Sequence, residues 1–116
     1  MAQNVIYTLA KKFSLRIVNL YSFLYQEKKE FVMSKQLYRS GTSIGANIAE
    51  SIYAQSKADY VNKLKISLKE ASESKYWLEL LYESGMISQQ EYDSLINDLN
   101  TIIGTVINIL NKIEKQ

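Results

Sequence analysis

The chain has 116 residues, 14 Lys/Arg against 12 Asp/Glu for a net charge of +2, and no Cys, His or Pro. That length makes one domain, spanning 1–116, with a core of its own. The missing residue types exclude disulfide frameworks, thiolate metal sites, and histidine-dependent nucleophilic, general-base and metal chemistry.

With no Pro and only four Gly, a 3.6-residue apolar period runs through nearly the whole chain and predicts four helices. The first covers about 4–26, with Ile6, Leu9, Phe13, Ile17, Leu20 and Leu24 inward, and the charged run Glu27-Lys28-Lys29-Glu30 interrupts it. The second covers 34–54. Ser34 is its expected N-cap, and Leu37, Ile44, Ile48 and Ile52 form its apolar stripe. Gly41, Gly45 and Ala49 recur every four residues beside that stripe, a ridge with almost no side chain that another helix can approach closely. An interior Gly costs about 1 kcal/mol of helix propensity relative to Ala, so the ridge asks for a packing or functional reason.

The third helix covers 56–84. Ser56 caps it with Asp59 three residues on, and Tyr60, Val61, Leu64, Leu68, Ala71, Leu78 and Leu81 point inward. Gly85 ends it in the left-handed position, with Met86 folding back on the last turn. Ser88-Gln89-Gln90-Glu91 reads as a capping box for the fourth helix, 88–115. There Tyr92, Leu95, Leu99, Ile102, Val106, Ile109 and Ile113 keep a heptad seam. Ile96, Ile103, Ile107 and Leu110 form an adjoining stripe, and this excess points to a subunit interface. Short connections between long helices imply an all-α, antiparallel up-down-up-down four-helix bundle.

Lys11 and Lys12 fall inside the first periodic segment, where a signal peptide would need an unbroken apolar run. The most apolar region, 95–113, is interrupted by Asn97, Asp98, Asn100, Asn108, Asn111 and Lys112 and does not span a bilayer. A cytoplasmic protein is expected. The small net charge hides an asymmetry: residues 1–69 hold eleven Lys/Arg and four Asp/Glu, residues 70–116 three and eight. The two sets either pair with each other or leave a basic face for RNA or DNA.

The second and third helices together resemble the 23S ribosomal RNA intervening-sequence protein family, usually called four-helix bundle proteins. The matching residues are Gln36-Leu37, Arg39-Ser40, Ser43-Ile44, Ala46-Asn47-Ile48-Ala49-Glu50, the stretch 60–64, and Glu70-Ala71-Ser72-Glu73-Ser74-Lys75-Tyr76-Trp77-Leu78, with Gly85 and Ile87-Ser88 beyond. Ser51 departs from the pattern, since many members carry Gly there. The resemblance implies a bacterial protein, a left-handed bundle and a homopentamer. It also links the chain to the accessory variability protein of diversity-generating retroelements, whose basic pentameric barrel engages nucleic acid and a reverse transcriptase.

Glu70 and Glu73 share a stripe with Ile66, Trp77 and Leu80. Without His they lack the Glu-x-x-His pattern of carboxylate-bridged metal sites, so neither a metal nor a cofactor is expected, and an ion pair with Arg39 or with a lysine from another helix or subunit is. Asn47 and Glu50, three apart beside the glycine ridge, form either a ligand site or a polar lock that fixes helix register. Lys11, Lys12, Arg16, Lys63, Lys65 and Lys69 are the candidate nucleic-acid contacts, with Lys28, Lys29, Lys35, Arg39 and Lys57 as further cations. Tyr7, Tyr21, Tyr25 and Tyr53, interleaved with this basic half, are either stacking surfaces or interface anchors. The expectation is a non-enzymatic, self-associating helical scaffold or adaptor for RNA or a nucleoprotein. The alternative is a protein–protein interaction module with an acidic partner and no nucleic-acid role.

Overall fold

Apolar residues at helical spacing, with polar caps between them, fold into α1 (Ala2–Gln26), α2 (Met33–Ser51), α3 (Lys57–Glu83) and α4 (Gln89–Glu114). The computed structural model describes residues 2–115, with side-chain burial from Val5 onward, and no strand occurs among the described residues. Met1 and Gln116, the ends of the expected domain, lie outside them. Each helix packs on two neighbours. α1 and α3, like α2 and α4, stand diagonally across the bundle and do not approach. Phe13, Ile17, Leu24, Ile44, Leu64, Leu78, Leu95 and Leu99 are sealed in the centre.

The glycine ridge meets α1 of the same chain. A Cβ at Gly41 would lie 3.0 Å from Ile17 Cγ1, and one at Gly45 would lie 3.1 Å from Ser14 Oγ. Their missing side chains let α1 and α2 pack closely, so the two glycines of the ridge are used inside the subunit. On its other flank α2 meets α3 through small polar residues. Ser67 Oγ donates to the Ile44 carbonyl at 2.6 Å, and Ser74 Oγ donates to Ser40 Oγ at 2.9 Å. These buried hydroxyls are all satisfied, as burial away from water demands.

Ser34 is not the N-cap of α2. The helix starts one residue earlier with Val32 at the cap position, which makes no side-chain cap bond. Glu30 does the capping from further upstream. Its carboxylate accepts from the amides of Val32 at 3.1 Å, Met33 at 3.0 Å and Ser34 at 2.7 Å, while the Ser34 hydroxyl donates back to the Glu30 carbonyl. Lys29, in the left-handed region at φ 54, turns the chain into this arrangement. The far end of α2 is also shorter than expected. Tyr53 and Ala54 donate to carbonyls only three residues back, because Ser56 must be extended to cap α3, so Ile52 is exposed rather than inward.

The remaining helix ends follow the predicted pattern on the serine side. The Asp59 carboxylate, however, accepts from the Gln55 amide at 3.2 Å rather than from Ser56, and Glu91 makes no return bond to the Ser88 amide among the described residues. Ser56 Oγ accepts from the Asp59 amide at 3.0 Å, and Ser88 Oγ accepts from the Glu91 amide at 3.1 Å. Gly85 sits at φ 81 after α3, its own amide bonding the Tyr82 carbonyl and the Met86 amide that of Leu81, the two bonds of a Schellman ending.

The second apolar stripe of α4 is not a free interface. Leu110 is buried, and Ile96 and Ile103 pack half-buried against the core; of the four, Ile107 alone is exposed, at 42%. The reason is geometric: α4 packs on both α1 and α3 and needs an apolar face wider than one seam. Gly104 lies on its outer side, with nothing within 4 Å of an added Cβ. Gly104→Ala is therefore expected to stabilise the protein by about 1 kcal/mol, read as a rise of about 4 °C in the melting midpoint.

Candidate functional site

The charged residues singled out from the sequence divide into those the fold ties together and those it leaves free. Arg39 on α2 reaches across to α3, donating from Nη1 to Glu70 at 3.1 Å and from Nη2 to Glu73; the indole of Trp77 donates to the same Glu73 oxygen at 3.1 Å. The bond from Arg39, then that from Trp77, holds the Glu73 carboxyl below the usual carboxylate range despite partial burial, and the same bond raises Arg39. The expected ion pair of Arg39 with these glutamates is thus present. Two carboxylates satisfied by one guanidinium and an indole make a clamp between helices. Among the described residues no group of three or more acids could hold a metal ion.

Asn47 and Glu50 part company. The Asn47 amide donates to Ser43 O within its own helix at 2.9 Å, and among the described residues it makes no bond to another helix of the same chain. A side chain that can reach a carbonyl one turn back takes that local bond. Glu50 does cross to α3, 3.0 Å from Lys63 Nζ, and that contact raises the Lys63 pKa.

The six candidate nucleic-acid contacts do not form one patch. Arg16 turns toward α4, bonded to Asp98 at 2.8 Å with Glu91 at 3.8 Å, and Lys63 is held by Glu50. Lys11 and Lys12 project from α1, Lys65 and Lys69 from α3, and those helices are diagonal. Sequence spacing shows which residues share a face of one helix; it does not show that two such helices face apart.

Unpartnered apolar surface is concentrated elsewhere. Of the thirteen large hydrophobic residues left exposed among the described residues, eleven lie between Val5 and Tyr53, on α1, α2 and their connections; only Tyr76 and Ile107 lie beyond. Leu15 is 58% exposed, and Val18, three residues on, joins it. At the α1–α2 turn four rings stand in a row, Tyr38, Tyr21, Tyr25 and Phe31, with successive centroids 4.9, 6.0 and 4.8 Å apart. Tyr21 and Tyr25 were visible as stacking candidates in the sequence, but Tyr38 and Phe31 were missed, because their contact with α1 depends on the chain reversal. A cleft of about 720 Å³ opens at the same end, between Leu20 and Phe23 of α1 and the α3–α4 turn, and its one carboxylate, Glu91, faces Arg16.

The sequence model of the 23S rRNA-intervening sequence protein family matches residues 2–108. The chain belongs to this family. A similar solved structure is that of a protein of unknown function from the S23 ribosomal protein family of Bacteroides thetaiotaomicron, 54% identical, covering 96% of this chain and 99% of that one with a TM-score of 0.94. No curated protein matches. Four of the residues that carry the family resemblance in α2 fasten it to α3: Arg39 to Glu70 and Glu73, Ser40 to Ser74, the Ile44 carbonyl to Ser67, Glu50 to Lys63. Ser51, where many members have Gly, is buried and donates to the Ile48 carbonyl at 2.6 Å. No helix among the described residues is long and apolar enough to cross a membrane.

Proposed function

We propose that this chain is a non-enzymatic helical scaffold that self-associates and engages RNA or an RNA-containing partner. The frame of that reading is an up-down-up-down, left-handed bundle in the cytoplasm. It is supported by contacts that descend along α2 as they rise along α1, Ser14 meeting Gly45 and Tyr21 meeting Tyr38, and by the heptad seam of α4.

The observation that carries self-association is the exposed apolar surface of α1 and α2. Water-facing clusters of this kind mark contact surfaces, and no charged side chain occurs between Arg39 and Glu50 to oppose burial of the adjoining α2 face. A homopentamer is the assembly that family resemblance favours. Assembly also answers the scattering of the cations. One subunit offers Lys11 and Lys12 on one helix and Lys65 and Lys69 on another, each pair a weak site, and repetition across copies converts weak sites into an avid one.

Light scattering at low and high salt, with and without structured RNA, tests the reading. The wild type is expected to exceed its 13.4 kDa monomer mass at both salts and to gain mass with RNA at low salt. The double variant Leu15→Glu, Val18→Glu is expected to run as a folded monomer, since both side chains already face outward. A wild-type monomer indifferent to RNA would overturn the proposal.

A further inference from the structure

We infer that the α1–α2 turn is a stacking platform for single-stranded RNA, an assignment that rests on the RNA-binding reading above and gives it a site. Two features coincide there. The first is the row of rings, in which Tyr25 and Phe31 meet edge-on and stay half exposed, at 50% and 49%. The second is charge. Lys28 and Lys29 lie in the turn between Tyr25 and Phe31, and Lys35 lies in the first turn of α2. None makes an ion pair among the described residues, Lys28 lying over the Phe23 ring at 5.9 Å, while one of the turn's two acids, Glu30, spends its carboxylate on the α2 amides. Glu27 is the only other acid of the turn.

Exposed aromatic rings beside unpaired ammonium groups are the chemistry that binds a single strand: bases stack on rings, and phosphates follow the cations. A duplex hides its base faces and offers little to such a row. A second copy of the chain is the other occupant for exposed rings. Burying the turn in a contact with another copy would take its unpaired ammonium groups out of water, which their desolvation opposes. The platform is distinct from the Lys11, Lys12, Lys65 and Lys69 set.

Fluorescence anisotropy with a labelled uridine oligonucleotide tests the assignment, alongside a duplex RNA and a single-stranded DNA of matched length. The wild type is expected to prefer the uridine oligonucleotide. Tyr25→Ala with Phe31→Ala is expected to weaken it by at least about tenfold, and Lys28→Ala with Lys29→Ala to lower the salt slope by about 1.4. Tyr25→Leu with Phe31→Leu removes the rings but keeps apolar bulk and is expected to match the alanine pair, with an unchanged circular-dichroism melt.

Single-strand binding that survives both ring variants, or equal affinity for the duplex, would overturn the platform while leaving RNA binding in place. Equal affinity for the DNA would overturn the choice of RNA. Ring variants that lower the mass seen by light scattering would assign the row to a contact between copies instead. A wild type that binds no RNA at low salt would defeat the underlying reading and the platform with it.

Discussion

Gly41→Val is expected to destabilise the protein by about 3 kcal/mol, read as a lowered midpoint in urea unfolding. A Cβ at this position would lie 3.0 Å from Cγ1 and 3.1 Å from Cγ2 of Ile17. Ile17 is 1% exposed and β-branched, so it has little rotamer freedom with which to retreat. Valine adds two more methyl groups in the same space, and α1 must move off α2 to admit them. The gain in helix propensity on replacing Gly is less than about 1 kcal/mol for Val and does not offset the overpacking. Ile17→Ala is the matching probe. It opens the space that the introduced valine side chain would fill, so the double variant is expected to lose less stability than the two single changes together. Strict additivity, or a stabilised Gly41→Val, would refute the argument that this glycine exists for close approach.

The second large effect is at Glu30. Glu30→Ala is expected to cost about 2 kcal/mol, the upper end of cap substitutions, because one side chain serves three amides at the start of α2. Its pH dependence has a definite sign. Burial pushes the carboxyl up, but the amide bonds from Ser34, Met33 and Val32, with the Ser34 hydroxyl, outweigh it and hold the folded pKa below the ordinary glutamate value. A depressed folded pKa means stabilisation fully present above the unfolded value and lost as pH falls through the folded one. Glu73, held low by Arg39 and Trp77, acts in the same direction. Urea midpoints measured from neutral pH into the acid range are therefore expected to fall, and to fall less steeply in Glu30→Ala. An equal acid slope in the two proteins would remove Glu30 from the account.

The number of helices, their class and three of the four terminal devices were legible because each depends on residues adjacent in sequence: Ser56 with Asp59, Ser88 with Glu91, Gly85 with Met86. The cap of α2 was not, because it uses a glutamate four residues upstream of the serine it displaces, outside the familiar capping box. The heptad seam of α4 was legible too, but periodicity alone does not say whether an adjoining stripe meets a neighbouring helix or a neighbouring subunit. The candidate site divided along the same line. Arg39 with Glu70 and Glu73 could be matched by charge, whereas the separation of Lys11 and Lys12 from Lys65 and Lys69 depends on which helices are diagonal. The row of aromatic rings required the turn to bring residues 31 and 38 back beside 21 and 25.

α2 approaches α1 with glycines and α3 with serines, and this has a consequence for the order in which the molecule forms. Seven of its nineteen residues are Gly, Ser or Thr, which leaves little helicity of its own. α3 and α4, by contrast, are longer and begin with serine caps. In hydrogen exchange the amides of α2 are expected to open together with α1 rather than alone, and in refolding α2 is expected to gain protection only after the α3–α4 hairpin has formed a surface for it. Its helical state is conferred by its neighbours, so damage to either flank is felt along its whole length.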